Sequence, residues 1–288
     1  MTATDETWVA LMGVKGGPAI KPGSNMPTST LLRVGGKVIL VDAGLGAARG
    51  ICDQGVALTD LDLIVVTHLH SDHYLELGPL LHTAWVAGLR RPIPIIGPAG
   101  LGAYWSGFLA AMDFDISLRI EDEGRCALAP LAEIREIADG VIEEQSGLVI
   151  RALRNQHPPI TESYALSFET HDKKIVLSGD TTYFDGMAAF AQDADLLVHE
   201  VLLEAGVDAL CASLDMPDDR LKRHLMRSHT SAPDVGRIAR DAGVRHLALH
   251  HFVPGADPTY GPEDWEAAIR ATWEGPLTIG NDGVRIEV

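Results

Sequence analysis

The segment "VVTHLHSDHYLELG", Val65 to Gly78, constrains this chain more than any other. His68, His70, Asp72 and His73 fall within six residues, directly after a β-branched run that reads as the end of a buried strand. Histidines at i and i+2 leaving a strand point to one side, and a tight turn can bring Asp72 and His73 to face them. Neutral imidazole and carboxylate are the donors that borderline divalent metals such as zinc accept. The alternative is a solvated turn that happens to be polar. Four potential ligands in six positions weigh against it.

A two-metal site needs more donors, and three later strand ends supply them. "LRNQH" ends at His157, "LSGD" at Asp180, and "LALHHF" carries His250 and His251. Singly each is weak, because a lone histidine at a strand end is more often a hydrogen-bonded structural residue. Together they are the parts that a dinuclear centre lacks.

Around these points the pattern alternates strands and helices. "TWVALMG", "STLLRV" and "KVILVDAG" read as strands, with Gly35-Gly36 as a hairpin turn. "YLELGPLLHTAWVAG", "AGLGAYWSGFLAAM", "FDGMAAFAQDA", "APDVGRIARDAG" and "EDWEAAIRATW" have helical spacing. "SYALSFET", "KKIVLSGD", "DLLVHE" and "VRHLALHHF" read as strands, and "GPLTIGNDGVRIEV" as two short ones. The stretch from Ile116 to Gly147 is polar and weakly periodic, and the pattern assigns no element there. No repeat or linker divides the chain, so one α/β domain over residues 1–288 is expected.

Charge limits the partners. The 288 residues include 40 acidic and 23 basic ones, a formal net charge of -17, which does not suit a protein that holds nucleic acid along an open surface. "RLKRHLMR", Arg220 to Arg227, is the one dense basic stretch, and it reads as the exposed face of a helix. Cys52, Cys126 and Cys211 are odd in number and far apart, which points to a reducing compartment. The N-terminus does not read as a signal peptide, and no segment is apolar for long enough to span a membrane. A cytoplasmic location is expected.

"THLHSDH", His157, "SGDT" and "LALHHF" together resemble the metallo-β-lactamase fold superfamily, whose signature is HxHxDH followed by a distant His, Asp and His. The resemblance runs over almost the whole chain and implies a four-layer αββα sandwich. It implies two divalent metal ions, zinc first, with manganese or iron accepted by the same donors. His68, His70 and His157 would hold one ion and Asp72, His73 and His251 the other, with Asp180 bridging. The superfamily usually reads "L-x-L-T-H-F", which puts His251 in register and leaves His250 as the alternative. Asp42 in "VDAG" matches a position that supports the metals from behind.

"SDHYLELGPLLHTAW" and "LLVHEV…SHTSAPDVGRIARDAGVRHLALHHF" further resemble the ribonuclease Z and arylsulfatase-like branch. That resemblance implies Glu200 and His229 as a catalytic pair, beside Asp72, with His229 protonating the leaving oxygen. The bland reading of "SHTSAPDVG" is a helix start with Ser or Thr capping before Pro233. Departures from the branch bear on the substrate. Its tRNA-processing members carry a basic arm, commonly inserted between the positions of His157 and Asp180, and only 22 residues separate those two here. "HHFVPGADPTYGP" replaces the "THFSxRY" ending of the RNA enzymes. The expected activity is hydrolysis of a small phosphodiester or arylsulfate-type ester by a hydroxide held on the metals. The alternative is a lactone, carboxylic ester or thioester, whose branches usually follow HxHxDH with "xGG" where this chain has "YLELG". A tRNA 3′-processing endonuclease and a non-catalytic metal-binding scaffold rank below both. The expected partner is a small anionic ester, with nucleic acid and membrane not expected and a homodimer implied by the resemblance alone. Residues 116–147, 204–227 and the "VPGADPTYGP" loop are where specificity would be built.

Overall fold

The computed structural model of the chain describes residues 6–214, 217–255 and 259–288. Residues 256–258 of the "VPGADPTYGP" loop, and 215–216 of the segment 204–227, lie outside that description. The described strands are β1 (Trp8–Gly13), β2 (Ser29–Val34), β3 (Lys37–Val41), β4 (Leu63–Val65), β5 (Ile93–Gly97) and β6 (Ala132–Glu136) in the first half. Then come β7 (Gly140–Gln145), β8 (Leu148–Arg154), β9 (Tyr164–Glu169), β10 (Lys174–Leu177), β11 (Leu196–Leu202), β12 (Leu247–Val253), β13 (Leu277–Ile279) and β14 (Val284–Glu287).

They form two seven-stranded sheets, β14-β1-β2-β3-β4-β5-β6 and β13-β12-β11-β10-β9-β8-β7. Each sheet is antiparallel at one side and parallel at the other. Period-two alternation explains why they stack. In β1, Val9 and Leu11 join the core between the sheets, while Trp8, Ala10 and Met12 join the core beneath the outer helices. β3 splits the same way, with Ile39 and Val41 inside and Val38 and Leu40 outside. Both faces of these strands are buried, as sheets covered on each side require. Helices Ala47–Asp53, Leu77–Val86 and Leu101–Ala111 cover the first sheet. Helices Ala232–Ala242 and Pro262–Arg270 cover the second, which completes the four layers.

The segment left without elements in the sequence holds four: most of a helix at Asp113–Glu123, a 3-10 turn at Ala129–Leu131, β6 and β7. β6 and β7 are the edge strands of their sheets, and most of their side chains face solvent. An edge strand that buries little has no apolar alternation to display. The helix turns Phe114 outward, 83% exposed, and has Ile116 as its one buried residue, so its period was also hidden. No described helix is long and apolar enough to cross a membrane.

β3, β4, β10, β11 and β12 all take part in parallel pairs, so their carboxyl ends emerge at one edge of the sandwich. That edge is where open α/β sheets hold their ligands. Every histidine and aspartate singled out above lies in a loop or strand that reaches it.

Candidate metal centre

Asp42 follows β3 directly, in a left-handed conformation with φ of 60°. One oxygen accepts the Thr67 backbone N–H at 2.7 Å, and the other accepts the Thr67 hydroxyl at 2.9 Å and His73 Nδ1–H at 2.7 Å. Asp42 thereby ties the loop leaving β4 to the short helix Ser71–Tyr74 that carries Asp72 and His73. The His68 Nδ1–H donates to the Thr67 hydroxyl at 3.1 Å, so the same chain of bonds fixes that ring. His157 Nδ1–H donates to the Ser228 carbonyl at 2.8 Å. In His68 and His157 the proton is therefore on Nδ1, and Nε2 presents a lone pair.

These lone pairs converge. His70 Nδ1 lies 3.1 Å from His68 Nε2 and 3.0 Å from His157 Nε2. Burial holds His68 well below the usual imidazole pKa, lowers that of His70, and pushes His157 down to about 3. His68 and His157 both turn Nε2 lone pairs toward His70 Nδ1, which can satisfy at most one of them with a proton. A cation at their centre removes the conflict, since metal–nitrogen bonds of about 2.0–2.1 Å in tetrahedral geometry set the nitrogens about 3.3 Å apart.

A second group forms beside the first. His73 Nε2 is buried without a hydrogen-bond partner of good geometry, 3.6 Å from Asp72 Oδ2 and 3.3 Å from Asp180 Oδ2. Burial opposes a charge on His73, but Asp180, Asp42 and Asp72 outweigh it and raise its pKa well above the ordinary value. Carboxylates that draw a proton this strongly offer the same field to a metal ion. His251 Nε2 sits 3.0 Å from Asp180 Oδ2, and its Nδ1 is 2.6 Å from the Thr28 hydroxyl. Asp180 Oδ2 is also 3.7 Å from His68 Nε2 and 3.9 Å from His157 Nε2, so it faces both groups. Burial would raise the Asp180 carboxyl, yet the histidines around it, His251 and His73 foremost, hold it well below the carboxylate range. Donor atoms of His68, His70, His157 and Asp180 lie within 4.8 Å of one another, as do those of Asp72, His73 and His251. The residues present fit two cations sharing one carboxylate.

A β-bulge separates His251 from His250. Glu200 pairs with His250 and Val201 with Phe252, so His251 is the extra residue of β12, with φ of 46°. The kink points its ring at Asp180. His250 is buried with neither ring nitrogen bonded, and burial pushes its pKa down to about 3. Gly16 packs so closely that a Cβ there would stand 3.0 Å from His251 Nε2 and 2.7 Å from Val253 Cγ2.

Glu200 and His229 also meet. Glu200 is fully buried, its Oε1 accepting backbone N–H groups from Thr181 at 3.2 Å and Thr230 at 3.0 Å, with His229 Nδ1 at 3.3 Å. Burial opposes protonation of His229, but Glu200 outweighs it and raises the pKa. The His229 ring stacks on His251 with centroids 5.6 Å apart. Ser231 stands at the N-cap position of helix Ala232–Ala242, but its hydroxyl donates to Asp234 Oδ2 at 2.7 Å and caps no helix N–H, so the helix starts there without the expected side-chain cap.

Beside these groups a cleft of about 420 Å³ opens. Leu210, Leu214, Leu221 and Leu225, from the helices Glu204–Ser213 and Arg220–Ser228 and the turn after the first, line one wall, with Lys15 and His224 among its polar residues. The sequence did not single out Lys15 or His224. Each lies in a stretch whose position relative to the metals depends on tertiary packing alone.

Two helix-flanked sheets with these His and Asp groups at the strand ends define a metal-dependent hydrolase of the metallo-β-lactamase fold. YhfI of Bacillus subtilis, a protein of that fold, superposes with a TM-score of 0.71 at 22% identity, over 98% of this chain and all of that one. The short form of human tRNase Z, ELAC1, gives 0.69 at 20% identity, over 97% of this chain and 98% of that one. Ribonuclease Z of Mycolicibacterium gilvum is 34% identical over 283 residues, 97% of this chain and 96% of the relative. Ribonuclease Z of Mycobacterium bovis BCG Pasteur is 34% identical over 97% of this chain. A family model described as "Anti-Pycsar protein Apyc1" matches residues 9–251. The chain belongs to the ribonuclease Z branch of the metallo-β-lactamase-fold hydrolases, and to the family that the Apyc1 model describes.

Proposed function

We propose that the chain is a dinuclear metal-dependent hydrolase of a small anionic phosphodiester. His68, His70 and His157 would hold one ion, Asp72, His73 and His251 the other, and Asp180 would bridge. Zinc suits this donor set, and manganese or iron could take the same positions. When bound, such ions acidify water toward neutrality and polarise the ester oxygen. His229 Nε2 delivers a proton to the leaving oxygen, and Glu200, locked by two backbone amides, orients the ring and keeps it basic. The leucine wall excludes bulk water and takes the organic part of the ester.

The observation that carries this reading is the pairing of two donor groups with a compact cleft that shows no RNA-gripping arm among the described residues. Of the 22 residues between His157 and Asp180, Tyr164 to Leu177 form β9, β10 and their turn, and the rest are the short loops on either side. On helix Arg220–Ser228, Lys222 pairs with Asp208, Arg223 with Asp219, and Arg220 with Asp218. Three of the four Arg and Lys side chains of that stretch are thus paired locally, Arg227 being the exception among the described residues, which reduces what it offers to a phosphate backbone. The names of the curated relatives favour a second reading, cleavage of RNA.

The test is turnover of bis(p-nitrophenyl) phosphate by metal-analysed protein, beside a 3′-extended precursor tRNA and a carboxylic ester. Phosphodiester turnover with two metals per chain, abolished in His251→Ala, is expected. Efficient tRNA cleavage with negligible small-ester turnover would transfer the assignment to the RNA reading. Turnover of the carboxylic ester alone would replace the phosphodiester assignment.

A further inference from the structure

Lys15 stands inside the cleft and none of the chemistry above uses it. It follows β1, and its backbone is bridged to Pro27 on one side and Phe252 on the other. Only 7% of the residue is exposed. Gly255 packs against the side chain so tightly that a Cβ there would come 2.5 Å from Lys15 Cγ. The ammonium is therefore held in place. Nζ donates to the carbonyls of Gly16 at 2.9 Å and Gly17 at 2.8 Å, which accounts for two of its three N–H groups. Gly17 N–H in turn donates to Asp72 Oδ2 at 2.7 Å, so the turn that Lys15 clamps also touches the proposed metal centre.

Burial lowers the Lys15 pKa, and Asp72 works against that effect without cancelling it. Among the described residues Lys15 forms no ion pair with a carboxylate. A buried ammonium with no carboxylate in direct contact is costly, and an anion bound in the cleft would offset that cost. The cleft it lines is the one in which His70, Asp72, Asp180, His229 and His251 are exposed to a ligand.

We infer that Lys15 is the anion-recognition residue of the cleft, its third N–H donating to a non-bridging oxygen of the substrate's phosphoryl group. This rests on the proposal that the substrate is an anionic ester. Lys15 binds and orients, and takes no part in proton transfer. Its contact selects anionic over neutral esters, because a carboxylic ester presents no charge for it to meet.

Calorimetric titration of inorganic phosphate into metal-reconstituted protein tests the contact without requiring turnover. Lys15→Met keeps the aliphatic stem and should weaken phosphate binding about tenfold or more, with metal content unchanged. Lys15→Arg keeps the charge and should retain more affinity than Lys15→Met. KM for bis(p-nitrophenyl) phosphate should rise about tenfold with kcat little changed, and p-nitrophenyl acetate hydrolysis should be unaffected. Unchanged phosphate affinity in Lys15→Met would overturn the inference. So would loss of metal from that variant, or equal loss on anionic and neutral esters, since each makes Lys15 a clamp of the Gly16-Gly17 turn. Should Lys15→Met fail to fold, Lys15→Gln is judged by the same criteria. Wild-type protein that binds phosphate through Lys15 yet hydrolyses no phosphodiester would refute the proposed activity and leave the anion site standing.

Discussion

At the scale of single residues, the bulge in β12 makes the sharpest claim. His250 and His251 are chemically identical neighbours, and backbone geometry alone assigns them different work. His251→Ala should lose one metal per chain and cost at least 10–100-fold in activity, read by metal analysis and kinetics. His250→Thr should keep both metals and most of the activity, because His250 is neutral and its ring nitrogens bond to nothing. Equal losses in the two variants would sink the distinction. His229 is tested by the leaving group. A proton donor matters most when the departing oxygen is strongly basic, so His229→Ala should cost about 10²–10⁴ with an alkyl leaving group and far less with p-nitrophenolate. A uniform loss across leaving groups would make His229 structural.

At the scale of elements, what the sequence disclosed followed from range. The candidate donor strings were legible because HxHxDH is local, and "SGD" and "HHF" end buried strands whose apolar runs are equally local. The turn at Gly35-Gly36 was legible because both residues need positive φ, here 56° and 73°. β6 and β7 were not legible, since an edge strand with exposed side chains carries no alternation. The cleft wall was not legible either. Leu210, Leu214, Leu221 and Leu225 look like the inner face of an ordinary helical pair, and only packing shows that they line the cleft. Leu214 is 44% exposed and Leu221 partly so, which makes them safe to alter. Leu214→Ser with Leu221→Ser should raise KM for aryl phosphodiesters by about three- to tenfold, through lost apolar burial, and leave dimethyl phosphate unchanged. Comparable kinetics on both substrates would remove the wall from the specificity argument.

At the scale of the whole molecule, the two donor groups join the two sheets. In one group His68 and His70 come from the first sheet and His157 and Asp180 from the second. In the other, Asp72 and His73 come from the first and His251 from the second. Each proposed ion is thus a cross-link across the sandwich, bound by the folded chain far better than by the unfolded one. At a free metal concentration of 100 times Kd, each ion would add about 2.7 kcal/mol to stability. For two ions that is a rise in Tm on the order of 10–20 °C, at about 2–4 °C per kcal/mol. Without the ions, the imidazoles of His68, His70 and His157 crowd together, and the carboxylates beside His73 have only its imidazolium as counter-charge. Chelated protein should therefore melt well below the reconstituted form, and the difference should grow with the logarithm of metal concentration. Scanning calorimetry across a metal titration measures both. The same Tm with chelator and with excess zinc, manganese or iron would mean that the sheets hold together without the ions, and the cross-linking role would fall.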